Sequence, residues 1–381
     1  MKYESPWLND ELRILGDAAE KFFTRELLPY YPRWLEEGVV SRDAWHKAGA
    51  AGLLCAGIPE EYGGGGGDFR HESVITETQH RLGLGAFGTQ VHSVIVAPYV
   101  LSFGTEEQRK RWLPRLATGE LVGAIAMTEP GTGSDLQAVK TTALRDGDEF
   151  VINGAKTYIT NGQTADFIIV VAKTDPNLGG KGISLLIVET EHVTGFQRGR
   201  NLDKIGLKAA DTSELSFTDV RVPATNLLGG ETGKGFVQLM QKLPQERLNI
   251  AQSAVVAIER AIKVTTDFVK ERKAFGQRVM DFQNTQFKLA ECATRALVAR
   301  TFVDQCVMWH LEGKLDATTA SMAKYWCTDT QCEIIDECLQ LHGGAGYMME
   351  YPIAEMYADA RVQRIYGGTN EIMKVLIARS L

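Results

Sequence analysis

Apolar positions along the chain change period twice, and the changes divide it into helix, strand and helix. Up to about residue 122, Leu8, Leu12, Leu15 and Ala19 recur at spacings of three and four, as one buried helix face does. Pro29, Pro32 and the run Gly63 to Gly67 break this region into pieces. The glycine run reads as a flexible connector, because neither Lys nor Ser follows at the spacing of a phosphate-binding loop. From about 123 to 232, FIIVVAK, ISLLIVE and ELSFTDVRV are short β-branched or aromatic runs bounded by Gly, Asp, Asn and Pro. After Gly233 the helical period returns, with Leu248, Ala251, Val255, Ile258 and Ile262 on one face and further helices expected at about 283–311 and 316–340. The pattern predicts an α+β protein: an N-terminal helical domain (1–122), a middle antiparallel β domain (123–232) and a C-terminal four-helix bundle (233–381).

Composition narrows the classes. A chain of 381 residues is long enough for several domains and a sizeable core, and its net charge of −7 leaves no overall basic field for nucleic acid or an anionic membrane. Cys55, Cys292, Cys306, Cys327, Cys332 and Cys338 form no CxxC pair and read as small buried apolar residues of a reducing compartment. Met1 to Arg13 has neither the apolar core of a secretory signal nor the Arg-rich character of a transit sequence, so a cytoplasmic location is expected. No apolar run approaches the ~20 residues needed to span a bilayer. No metal-ligand spacing, HExxH motif or Ser/His/Asp set appears.

The densest chemistry lies between Gln340 and Arg379. Gly343 and Gly344, then Gly367 and Gly368, remove side chains at two points where helical patterning stops. Such pairs suit backbone N–H groups that meet a phosphate or ring oxygen, and they equally suit helix C-caps. Thr369, Asn370 and Glu371 then form a capping-type start to the last helix, where an anion is favoured. Upstream, Ala126 to Leu136 reads AMTEPGTGSDL, with hydroxyls and glycines around a rigid Glu129-Pro130 turn, a set of donors for a polar ring or a plain loop between strands.

Together with YITNG (Tyr158 to Gly162) and ERKAFGQ (Glu271 to Gln277), these segments resemble, in order and spacing along essentially the whole chain, the acyl-CoA dehydrogenase family of flavoenzymes. LPQERL (Leu243 to Leu248) and ARVQRIYGGTNEIM are most similar to its long-chain members, then to the isovaleryl-CoA dehydrogenases. The resemblance implies FAD as cofactor. It assigns flavin contacts to Ile125, Ala126, Met127, Thr128, Gly133 and Ser134, with Thr128 at the pyrimidine edge, and to Tyr158, Ile159 and Thr160 on the other face. Read alone, Tyr158 is a half-buried strand aromatic. Arg272, Gln283, Gln340, Leu341, His342, Gly343 and Gly344 are implied to reach a neighbouring subunit's dinucleotide, and Thr369, Asn370 and Glu371 to contact FAD. Arg272 and Gln283 are read as joined by a turn. The implied assembly is a homotetramer, and the implied electron acceptor an electron-transferring flavoprotein.

Desaturating an acyl-CoA between Cα and Cβ needs a base for the α-proton, a polarised thioester carbonyl and a hydride acceptor. Most relatives carry the base where this chain has Gly367. Long-chain and isovaleryl members carry it on the LPQERL helix, which points to Glu246. Pro244 is read as starting or kinking that helix, leaving Glu246 near a helix beginning. The plainer reading makes Glu246 a first-turn acid with Arg247 its solvated neighbour. Ser134, Val237, Arg247, Gly367 and Gly368 are implied to meet substrate, while Glu129 and Glu371 are expected to be structural. The substrate expectation is a medium-to-long-chain acyl-CoA of fatty acid β-oxidation, with short branched chains as runner-up. An oxygen-using flavoenzyme on the same scaffold, a DNA-associated flavoprotein and a cofactor-free scaffold remain as alternatives.

Overall fold

Six helices open the chain in the computed structural model, which describes residues 3–381. They are α1 (Asp10–Phe22), α2 (Tyr31–Glu37), α3 (Arg42–Ala50), α4 (Phe69–Arg81), α5 (Ala97–Phe103) and α6 (Glu106–Ala117). Met1 and Lys2, the first residues of the segment read above as no leader, lie outside the described residues. Leu12 and Ala19 face the core from α1 as their spacing predicts. Thr105 caps α6 by accepting from Gln108 N, whose side chain returns a bond to the Thr105 N–H.

The glycine run is not a flexible connector. Gly64 donates to Pro59 O, Gly65 to Cys55 O, Gly66 to Ile58 O and Gly67 to Ala56 O, so the run folds back on residues 55–60. A Cβ on Gly64 would stand 2.2 Å from Ile58 O. Glycine is needed there for close backbone approach, which sequence periodicity does not reveal.

The middle region is a seven-stranded sheet: β1 (Gly123–Ala126), β2 (Thr142–Asp146), β3 (Glu149–Thr160), β4 (Phe167–Lys173), β5 (Ile183–Glu189), β6 (Phe196–Asn201) and β7 (Thr212–Pro223). Its order is β1-β4-β2-β3-β7-β6, with β5 on β4. The sheet is mixed rather than purely antiparallel, because β1 runs parallel to β4 in the register Gly123↔Phe167 and β2 meets β4 parallel at Thr142↔Lys173. β4 reads as a near-continuous apolar run, and β5 as one interrupted by the buried Ser184, because both faces are covered. Phe167, Ile169 and Val171 pack with Tyr99 and Trp112 of the helices, while Ile168 and Val170 pack with Phe150 and Leu215 across the sheet.

Three long helices follow, α7 (Gly235–Glu271), α8 (Gln283–Leu311) and α9 (Ala317–Leu341), with the short α10 (Pro352–Ala360) and α11 (Asn370–Ala378) packed on them. The last helix starts at the Thr369 capping run as read from the sequence, and both it and α10 are nine residues long. Arg272 and Gln283 are joined by a tight hairpin of β8 (Lys273–Ala274) and β9 (Gln277–Arg278), consistent with the turn read there. Five cysteines are buried, Cys332 is half-buried, and none is bridged. Among the described residues no helix is long and apolar enough to cross a membrane.

Candidate active site

Glu246 lies well inside α7, not near a helix beginning. Pro244 sits within the same helix, which runs unbroken through it. A proline in a helix interior costs about 3 kcal/mol locally. The packing of α7 against α4, α8 and α9 outweighs that cost. The burial face set by Leu239 and Leu243 carries Glu246 inward, leaving it 5% exposed.

Tyr99 of α5 donates its O–H to Glu246 Oε1 at 3.0 Å. A π-helical stretch, Gln90–Val96, leads directly into α5, and Gln245 Nε2 pins α7 to it by donating to Val94 O at 2.9 Å. Burial pushes the Glu246 carboxyl up to about 7, against the opposing pull of the Tyr99 hydrogen bond and the Arg247 and Lys242 charges. A carboxylate poised there is half ionised near neutrality, which suits proton abstraction. Arg247 is not a solvated neighbour. It is 5% exposed, with Nη1 3.3 Å from Ser321 Oγ and Nε 3.5 Å from Gly367 O.

That contact brings the last motif to α7. Gly367 and Gly368 have φ of 65° and 93°, and Thr369 caps α11 by accepting from Ile372 N. A Cβ on Gly367 would stand 2.4 Å from Ile250 Cδ1, one helical turn beyond Glu246. The turn and the Glu246 face of α7 therefore meet, and the space at position 367 is already filled from α7. Lys324, fully buried in α9, donates to Gly368 O and to Asn370 Oδ1, each at 2.8 Å. Asn370 also donates to Thr328 Oγ1 and Asp329 Oδ1, so its side chain is committed inside the protein. Glu371 is an exposed first-turn acid whose carboxyl is held below its ordinary value by its own backbone N–H and Thr369.

The strand-borne segment is braced in a similar way. Lys156, on the inward phase of β3 with Phe150 and Ile152, is fully buried and donates to Met127 O and Glu129 Oε1, both at 2.9 Å. Burial lowers the Lys156 ammonium to about 8, with Glu129 opposing. Glu129 also accepts from Lys140 N and Thr141 N, so this acid is structural. Thr157 N donates to Thr128 O at 2.9 Å, aligning the two predicted segments. Beyond it the β3–β7 register breaks, and Tyr158 takes φ 59° and stands 69% exposed, not half-buried in the strand. Gly133 and Ser134 are exposed and Thr128 and Thr160 half-buried. Ala126 and Ile159 turn their side chains into the sheet core, leaving only backbone to a ligand. Ile125 and Met127 pack on the cluster that contains Tyr99, which ties this segment to the Glu246 partner. Val237, more than half exposed, lies near the start of α7.

The remaining predicted residues gather at the far end of α7. Phe268 stacks on His342 at 4.3 Å, and Lys288 pairs with Glu337, so Arg272, Gln283 and Gln340 to Gly344 share one end of the bundle. His342 is buried with Nδ1 on Cys338 O, and Leu341 is half-buried, while Arg272, Gln283, Gln340, Gly343 and Gly344 are exposed. Arg272 caps the end of α7, 26 positions beyond Glu246, about 39 Å at 1.5 Å per residue.

Two features fit a planar, phosphate-bearing cofactor. A Cβ on Gly131, Gly133 or Gly344 would meet nothing within 4 Å, and none of the three has a positive φ, so nothing inside the chain demands glycine there. Backbone at these positions is open to approach by a ligand. Tyr158 and Ser134 stand exposed in the same strand-borne region as Gly131 and Gly133. Tyr99, Lys156 and Lys324 escaped the reading of the sequence. Lys156 carried a signal, since a lysine on the inward phase of a strand needs a buried partner; Tyr99 carried none.

Comparison with known proteins agrees with this geometry. The acyl-CoA dehydrogenase N-terminal, middle and C-terminal domain families match residues 9–120, 124–220 and 233–381. The mitochondrial long-chain specific acyl-CoA dehydrogenase of Sus scrofa is 50% identical over 98% of this chain and 87% of its own length. The crystal structure of an acyl-CoA dehydrogenase from Geobacillus kaustophilus superposes with a TM-score of 0.97 at 49% identity, over 99% of both chains. A glutaryl-CoA dehydrogenase from Mycobacterium smegmatis in complex with FADH2 superposes at 0.91, with 27% identity over 98% of this chain and 95% of its own. The chain belongs to the acyl-CoA dehydrogenase family, flavin oxidoreductases that act on CH–CH bonds.

Proposed function

We propose that the chain desaturates an acyl-CoA of medium to long chain between Cα and Cβ, in fatty acid β-oxidation, with Glu246 as the base. The observation that carries the reading is one buried carboxylate, held by Tyr99 and raised to about 7, facing the turn of the last motif. Tyr99 occupies Oε1, so Oε2 takes the α-proton. Substrate burial beside Glu246 excludes water and keeps the carboxylate basic. The Gly367–Gly368 turn, with Arg247 behind it, borders the reacting carbons, while Ser134 and Val237 line the route of the CoA arm. FAD, when bound, supplies the acceptor of the β-hydride. Met127, Thr128, Gly133, Ser134, Tyr158 and Thr160 hold one region of it, and Thr369 meets it at the start of α11.

Arg272, Gln283 and Gln340 to Gly344 serve a second copy of the chain, because about 39 Å of helix separates them from Glu246. The separation supports a site shared between copies; the assembly is taken as a homotetramer, the domains as 1–122, 123–232 and 233–381, and the oxidant as an electron-transferring flavoprotein. The similarity to the long-chain enzyme of Sus scrofa supports the chain length.

An oxygen-free titration of the flavin-loaded protein with saturated acyl-CoAs of graded length tests the proposal. Bleaching of the flavin with highest kcat/KM for long straight chains is expected. Oxygen consumption during turnover would identify an oxidase, and preference for a short branched acid would move the substrate class.

A further inference from the structure

A cavity of about 150 Å³ lies beside the Tyr99–Glu246 pair, between α4, α5, α7 and α8. Pro98 and Leu101, which flank Tyr99 on α5, form part of its wall, and α7 contributes Lys242 and Gln245. Lys242 precedes Glu246 by one turn of α7, about 6 Å, so the two share a face of the helix and their charges act on each other. The opposite wall carries Glu72 of α4, with His310 of α8 stacked edge-on against Phe69 at 4.5 Å. An acyl chain that presents Cα to Glu246 and leaves its CoA arm at the exposed Val237 finds this cavity one turn away.

The lining is not that of a pocket for a plain hydrocarbon tail. Glu72 is 6% exposed, and its Oε1 accepts from Gly57 N at 2.9 Å. No lysine or arginine among the described residues lies within ion-pair distance of it, and burial pushes its carboxyl up to about 7. Lys242, half-buried, has no acceptor within hydrogen-bond distance among the described residues, only the Phe103 ring at 5.8 Å. Burial holds His310 down at about 4, so its ring is neutral. The walls therefore offer one acid and one cation that do not satisfy each other. A carboxylate on the ligand would suit Lys242 and face Glu72, an ammonium would do the reverse, and a bare methylene would leave both without a partner. A hydroxyl meets either group without repulsion from the other, since it both donates and accepts. It also replaces solvent without loss of hydrogen bonds, whereas a methylene that displaces solvent forfeits them. Resting on the reading of the chain as a desaturase with Glu246 as base, we propose that this cavity receives the distal acyl chain and selects a hydroxylated one, an acyl-CoA bearing an alcohol beyond Cγ.

The test measures kcat/KM of the flavin-loaded protein, without oxygen and with a dye as electron acceptor. A saturated long-chain acyl-CoA is compared with chains of the same length that carry one hydroxyl at successive positions beyond Cγ. At least one hydroxylated chain is expected to exceed its parent about tenfold or more, as a hydrogen bond to a charged group would give. Lys242→Met and Glu72→Met should each bring that ratio toward one. The parent chain is measured in the same variant, so any effect of the lost Lys242 charge on Glu246 cancels in the ratio. If one variant does not fold, the other decides. Equal or slower turnover of every hydroxylated chain would overturn the proposal, as would a preference that persists unchanged in the variants. No bleaching of the flavin by any acyl-CoA, plain chains included, would instead remove the reading beneath it.

Discussion

The two glycine pairs look alike in sequence and differ in surroundings. Gly343 and Gly344 lie exposed at the end of α9, where an added Cβ enters open space. Gly367 and Gly368 are wedged between α7 and α11: a Cβ would meet Ile250 at 2.4 Å or Met373 at 2.7 Å, and both carbonyls are held by buried cations. Glycine answers to different constraints at the two places. At the wedge it is internal packing beside Glu246; at the open end no contact within the chain opposes a side chain.

The largest contrast is expected in pH dependence. If chemistry belongs to the wedge, kcat/KM should fall about tenfold for each pH unit below about 7, as Glu246 takes up its proton. A profile flat from pH 5 to 8 would separate the wedge from the chemistry. Stability moves the other way. The folded state holds the Glu246 proton more tightly than the unfolded chain, so this contribution is complete below the ordinary carboxyl value and lost as pH rises through about 7. Glu246→Gln should flatten that decline in thermal denaturation.

Next in size is Gly367→Ala. A left-handed φ costs a non-glycine residue about 1–2 kcal/mol, and displacing the tip of the Ile250 side chain adds about 1. Thermal denaturation of Gly367→Ala, Ile250→Ala and the double variant should give a coupling of at least about 1 kcal/mol. Additive effects would mean that Ile250 does not fill the wedge. Gly343→Ala, strained by φ 57° but free of collision, should cost only about 1 kcal/mol.

The smallest effect on the fold is expected at Gly344→Ala, within about 0.5 kcal/mol, since neither φ nor contact opposes it. FAD retention on gel filtration should nevertheless fall. Full retention would contradict approach from outside at the open end.

Where physics acts over short stretches of chain, the sequence was legible. The period of α8 marked 283–311, and Gln283–Leu311 is the helix found; FIIVVAK and ISLLIVE became β4 and β5. Long-range contacts were hidden. The Gly63–Gly67 run is rigid because of acceptors in residues 55–60, and Pro244 is tolerated because α7 is packed along its length. At the site, Glu246 was legible only through the resemblance and the missing acid at 367. Tyr99, 147 residues away in sequence, had no local signature at all. Tyr158 broke its strand because the β3–β7 register slips between Lys156 and Ile159, and side-chain alternation does not report register.

The most direct test of Glu246 as base is rapid mixing of flavin-loaded Glu246→Gln with a long-chain acyl-CoA without oxygen. The amide is nearly isosteric, so binding should still perturb the flavin spectrum, while reduction slows by more than the roughly 10²–10⁴ typical of general base catalysis. Bleaching at the wild-type rate would contradict the account and place the base elsewhere.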